Sequence, residues 1–180
     1  MAAQKKPRKN SYLNDFEKSQ EGGYVYTGKT WHADPVMRRY VLVKLWVLQG
    51  CMLLAVLLPG FVTTAGLLNT FYVIIPYVFW LISDFVLAYT LGNMTFGGNP
   101  LRNYIYERSV KQYRGRTLLP LVGAVLTALA LFIFILRDGS GEGKVVCFAC
   151  CIVQVAASFF AGRSKIVDIW MESSTAEMDN

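Results

Sequence analysis

Polar and apolar positions in this chain separate into blocks. After a polar opening, four apolar runs cover Tyr40 to Leu58, Phe71 to Leu91, Leu118 to Leu136 and Val145 to Gly162. Each approaches the roughly 20 residues a helix needs to cross a hydrocarbon core of about 30 Å. None alternates with period two as a membrane strand would, and in lipid the backbone must satisfy its own hydrogen bonds. The pattern therefore predicts an all-α, polytopic membrane protein with four transmembrane helices in two hairpins and an interfacial amphipathic helix between them.

The connecting segments carry their own signals. Residues 1 to 39 read as a cytoplasmic N-terminal segment, polar to residue 22 and then aromatic, where YVYTGKTWH predicts a short hairpin around Gly28 at the membrane interface. Asp34-Pro35 is a helix start, a capping carboxylate followed by proline at the first helical position. Pro59-Gly60 marks the far end of the first span, and Pro76 should bend the second. The loop 92 to 117 repeats the start signal as Asn99-Pro100, and LRNYIYERSVKQYRGR after it has the pattern of an interfacial helix feeding the third span. The two dipeptides suggest a twofold repeat, but the halves hardly align beyond them. Small residues four apart, Ala124 with Ala128, Ala157 with Ala161 and Ser158 with Gly162, predict close packing of the third and fourth spans. Residues 163 to 180 form a tail.

Charge sets the orientation. The first 43 residues hold eight Lys and Arg, the segment Gly92 to Thr117 holds five, and the loop Pro59 to Thr70 has none. By the positive-inside rule both termini and the middle loop are cytoplasmic, with the first span acting as a signal anchor in the plasma membrane. The net charge of +6 then belongs to headgroup contact and not to nucleic acid. A composition 54% hydrophobic, with a mean hydropathy of +0.36, agrees with this class.

Candidate chemistry is sparse. Asp84 is the one carboxylate inside a span, and such a residue should face the bundle interior and find a partner. Counting about 1.5 Å per residue puts Lys44 some 6 Å and Asp84 some 10 Å from the cytoplasmic ends, so a Lys44–Asp84 pair is expected. Gln49, Gln154 and Thr127 complete a predicted intramembrane polar layer, which serves either as interhelical glue or as an ion or substrate site. Gly23 to Thr30 matches the phosphate-loop pattern G-x-x-x-x-G-K-[ST], but lacks a preceding strand and a helix beginning at Lys29, and reads as an interfacial turn. Cys147, Cys150 and Cys151 read as packing residues; neither a metal nor another cofactor is expected. Asn93-Met94-Thr95 is a glycosylation sequon on the cytoplasmic side, where it is not modified. Arg102, Tyr104, Arg108, Lys111, Arg114 and Arg116 form a predicted surface for anionic lipid or a protein partner.

The run LNTFYVIIPYVF, the GGYVYTGKTW lead-in and the four short-looped spans together resemble small uncharacterised four-helix membrane proteins of clostridial-type bacteria. The resemblance implies a bacterial plasma membrane and says nothing about activity. Without a catalytic constellation, the expected role is that of a non-catalytic accessory or scaffold protein, associating with other membrane proteins or with itself. A small oligomeric transporter or channel built on Asp84 is the alternative.

Overall fold

A computed structural model describes residues 16–18, 24–26, 28–62, 70–139 and 141–173. Four helices, α1 (Pro35–Phe61), α2 (Phe71–Phe96), α5 (Leu118–Asp138) and α6 (Glu142–Gly162), are long and apolar enough to cross a membrane. They pack as a ring. α1 touches α2 and α6, and α5 touches the same two helices from the other side; the broadest contacts run between the sequence halves, α2 on α5 and α1 on α6.

The bundle is patterned opposite to a water-soluble one. Large apolar side chains such as Leu54, Ile82, Ile133 and Phe160 point outward, whereas Gln49, Asp84, Thr127, Gln154 and Ser158 are buried. In water an exposed apolar surface of this extent would be a liability; against hydrocarbon it carries no penalty. The interior divides into two apolar clusters. One, at the end where α1 begins, takes Leu42, Leu45 and Met52 from α1, Leu87, Leu91 and Met94 from α2, and Ala157 and Ala161 from α6. The other gathers Ala55 and Val56, Val73 and Trp80, Ala124 and Leu131, and the cysteines Cys147, Cys150 and Cys151. Asp84 and Gln154 fall in sequence where the two clusters meet.

α5 and α6 pack together as expected, with Ala124 beside the α6 cysteines and Gly162 against Thr117, but the other small residues of α6 sort differently. Ala157 and Ala161 belong to the cluster with α1 and not to one with α5. α5 comes close to α2 at Gly123, where an added Cβ would lie 2.8 Å from the Trp80 Cα. Two of the long helices also run further than the apolar runs suggest. α1 runs through Pro59, which is buried, to Phe61, and α2 continues past Leu91 to Phe96.

At the end where α1 begins, three remote segments fold together. Strands β3 (Thr30–Ala33), β4 (Leu101–Arg102) and β5 (Trp170–Ser173) form an antiparallel sheet in the order β4-β3-β5, with Trp31 opposite both Leu101 and Glu172. Two further short strands, β1 (Phe16–Lys18) and β2 (Tyr24–Tyr26), pair with each other. The predicted hairpin around Gly28 is thus replaced: its two arms join different sheets, because β3 finds longer-range partners on both edges.

From Asn103 the chain is helical up to α5, through α3 (Asn103–Ile105), a π-helical stretch Tyr106–Val110 and α4 (Lys111–Arg116). One face of this run is buried, through Tyr106, Ser109, Val110 and Tyr113. Asp34 caps α1 as its sequence suggests, accepting a bond from the Val36 N–H at 2.9 Å ahead of Pro35. Asn99 does not cap. Its side chain pairs with the backbone of Ala33, donating to the carbonyl at 2.8 Å and accepting from the N–H at 3.3 Å. The following peptide to Pro100 is cis, and the helix starts only after β4, at Asn103.

Candidate functional site

Two places on this framework concentrate polar chemistry, the centre of the bundle and the cap at its end. At the centre, Asp84 lies near the middle of α2 and has no exposed surface. Its Oδ1 accepts a hydrogen bond from Gln154 Nε2 at 2.9 Å, and its backbone carbonyl accepts from Gln49 Nε2 at 3.3 Å. Gln154 also donates to Ser158 Oγ at 3.3 Å, and Ser158 to the Met52 sulfur at 3.4 Å. A chain of polar contacts thereby links α1, α2 and α6.

Of the predicted layer, Gln49, Asp84 and Gln154 come together and two members do not. Lys44 is exposed, and none of the ion pairs among the described residues involves Asp84. Depth alone suggested the pair, but five residues on a helix is a rotation of about 140°, so with Gln49 turned inward Lys44 faces out. Thr127 is buried, but it bonds back to the Gly123 carbonyl of its own helix at 2.8 Å and lies among Trp80, Pro59 and Cys147. Ser158 and Met52 are the members the sequence reading missed. Ser158 stands one turn from Gln154, a spacing read there only as small-residue packing.

The cap is an aromatic and guanidinium assembly. Trp31 stacks on Tyr106 with ring centroids 3.8 Å apart, and its indole N–H donates to Asn103 Oδ1 at 3.0 Å. Tyr106 meets Trp170 edge to face at 6.5 Å, and the Arg38 guanidinium lies 5.6 Å from the Trp170 ring. Arg38 also donates to the carbonyls of Met94 and Thr95, satisfying part of the C-terminal end of α2. The Trp46 indole adds a bond to Thr95 Oγ1 at 2.9 Å.

Lys29 belongs to this cap and to no phosphate loop. Its ammonium donates to Glu172 on β5, and that bond raises its pKa above the ordinary lysine value. Thr30 is in a strand, where a phosphate loop would begin its helix.

The predicted basic surface is partly internal. Arg116 donates to Thr90 Oγ1 on α2 and to Gln112, while Arg114 reaches the Ser164 carbonyl at 3.3 Å and Asp168 at 3.6 Å. Both therefore hold the helical run against the bundle and the tail. Lys111 pairs with Glu107 at 3.3 Å on the exposed face, and Arg102 is exposed on β4. Arg108 and Tyr104, with Tyr89, Asn93, Phe96 and Ser109, line a cleft of about 290 Å³ between the end of α2 and the π-helical stretch.

The three α6 cysteines are buried in the apolar cluster with Trp80, which accounts for them as packing. No family model, curated protein or solved structure matches the chain.

Proposed function

We propose that this is a non-catalytic membrane accessory or scaffold protein that docks other membrane components through its cap. In this reading the four helices span the plasma membrane as two hairpins, both termini and the middle loop are cytoplasmic, and the helical run 103 to 116 lies at the interface. The supporting observation is that three segments remote in sequence are built into one ordered platform at a single end of the bundle. Exposed Arg102, Arg108, Lys111, Arg163 and Lys165 surround that platform. The opposite end offers only Arg137 and Lys144, beside Asp138 and Glu142.

The cleft beside Arg108 suits an anionic lipid headgroup at the edge of such a platform. Arg108, Asn93 and Ser109 supply charge and hydrogen-bonding groups, and the largely exposed rings of Tyr89 and Phe96 flank them for the acyl part. Photo-crosslinking from position 111 in native membranes tests docking directly. A discrete crosslinked membrane protein is expected, lost when Arg102 and Arg108 are both changed to Glu, with the thermal midpoint in detergent unchanged. A crosslinking profile indifferent to those charges defeats the reading.

The second reading, an oligomeric transporter or channel, is favoured by the buried Gln49–Asp84–Gln154 group. It requires that the purified protein alone carry a solute or ion across proteoliposomes, and that Asp84→Asn stop the flux.

A further inference from the structure

The centre of the bundle has more acceptors than donors. Asp84 Oδ2, Gln49 Oε1 and Gln154 Oε1 are all buried and accept no hydrogen bond, although each belongs to a residue with no exposed surface. Buried polar atoms in folded proteins are ordinarily satisfied, and three orphaned oxygens in one connected group call for a reason. Turning the amides over does not supply one. Each glutamine now donates its N–H2 to an Asp84 oxygen, and reversing it would set oxygen against oxygen. The Trp80 indole N–H, one turn before Asp84, is directed at its carboxylate, but it serves at most one of the three and cancels no charge.

Charge points the same way. An ionised carboxylate removed from water without a counter-charge is among the costliest arrangements a protein interior can hold. No Lys or Arg of the described residues pairs with Asp84, and Lys44 faces outward. What this group lacks is a positive charge that takes several hard oxygen ligands and needs no donor.

We propose that Asp84, Gln49 and Gln154 bind a monovalent cation of sodium size. Carboxylate and amide oxygens are the ligands hard cations take. A single carboxylate balances a single positive charge, whereas a divalent ion would leave the buried site with a net charge of +1. A proton on Asp84 would supply one donor and leave an amide oxygen still unsatisfied. Because the ligands come from α1, α2 and α6, the ion acts as a clasp across the bundle. The site stands whether or not the cap docks a partner.

The full chain in detergent tests this through thermal unfolding at constant pH and ionic strength, with sodium, potassium or N-methylglucamine as the only cation. Sodium at about 100 times its dissociation constant is expected to raise the midpoint by roughly 5–10 °C over N-methylglucamine, with equilibrium binding of radioactive sodium saturating at about one ion per chain. Asp84→Asn should abolish both effects, and Gln49→Leu should weaken the apparent affinity about tenfold, the worth of one polar contact to a charge. Should Asp84→Asn fail to fold, wild-type binding and the Gln49→Leu shift decide. Equal midpoints in all three cations overturn the proposal, as does a stability that follows pH and ignores sodium, which would make a proton the occupant.

Discussion

The bonds at Asp84 and Asn99 show how much a single buried polar side chain can be asked to do. Gln154 is the donor to the Asp84 carboxylate. Replacing it with Leu leaves that buried acceptor short of a donor, at a cost of about 1–3 kcal/mol. Denaturation in mixed detergent should record the loss, and an unchanged midpoint would mean the bond contributes nothing. Asn99→Ala removes both bonds to Ala33 and should lower stability by about 1–2 kcal/mol, with earlier proteolysis between α2 and β4 as the local sign. The Lys29–Glu172 pair is exposed and matters little by comparison. Because the Lys29 pKa is raised in the fold, its small contribution is complete below the ordinary lysine range and disappears as pH rises through the raised value. High salt should remove it at any pH.

Between elements, the tightest constraint is the crossing of α2 and α5. A Cβ at Gly123 would meet the Trp80 backbone at 2.8 Å, and backbone cannot swing aside as the end of a flexible side chain can. Gly123→Ala is expected to push the helices apart at a cost of about 1–3 kcal/mol. The same change at Gly50, which has open space around its added Cβ, should be neutral or slightly stabilising through helix propensity. A comparison of the two midpoints checks this: equal losses would deny the close crossing. Gly162 is a gentler case, since its added Cβ meets the Thr117 hydroxyl at 2.9 Å and a side chain can rotate away.

Over the whole molecule, the cap binds together the beginning of the described chain, its middle and its end. Removing residues 163–180 takes away β5, Ile166 and Trp170, uncovering Ala33, Leu101 and Tyr106 in the apolar cluster. The truncated chain should keep its helix content while the Trp31–Tyr106 stack loosens, visible as a red-shifted tryptophan emission and faster proteolysis after Ala33. Unaltered emission and proteolysis would show that the cap does not depend on its tail strand. On the proposed orientation, cysteines placed at Arg102 and Lys165 react with an impermeant maleimide only after the cells are opened, and one at Glu142 reacts in intact cells. Reaction in the reverse pattern would invert the topology.

The apolar runs alone determined the four long helices, because about 20 consecutive apolar residues leave few other structures open. Asp34-Pro35 was legible for a related reason: a cap bond between residues two apart is local and needs no partner from elsewhere. Asn99-Pro100 carried the same local signal and did something else, since Ala33 offered its side chain a better pair of bonds than a helix start. That competition exists only once the chain is folded. So too with Asp84. Its burial followed from its surroundings in sequence, but helical phase took Lys44 away from it and packing brought Gln154 and Ser158 toward it. The strand signal around Trp31 was legible, but the cap was not, because which distant short strands would pair with it is decided only in the fold. Local composition fixed what each segment is; only the tertiary contacts decided which polar groups meet, where the helices touch most closely and what closes the end of the bundle.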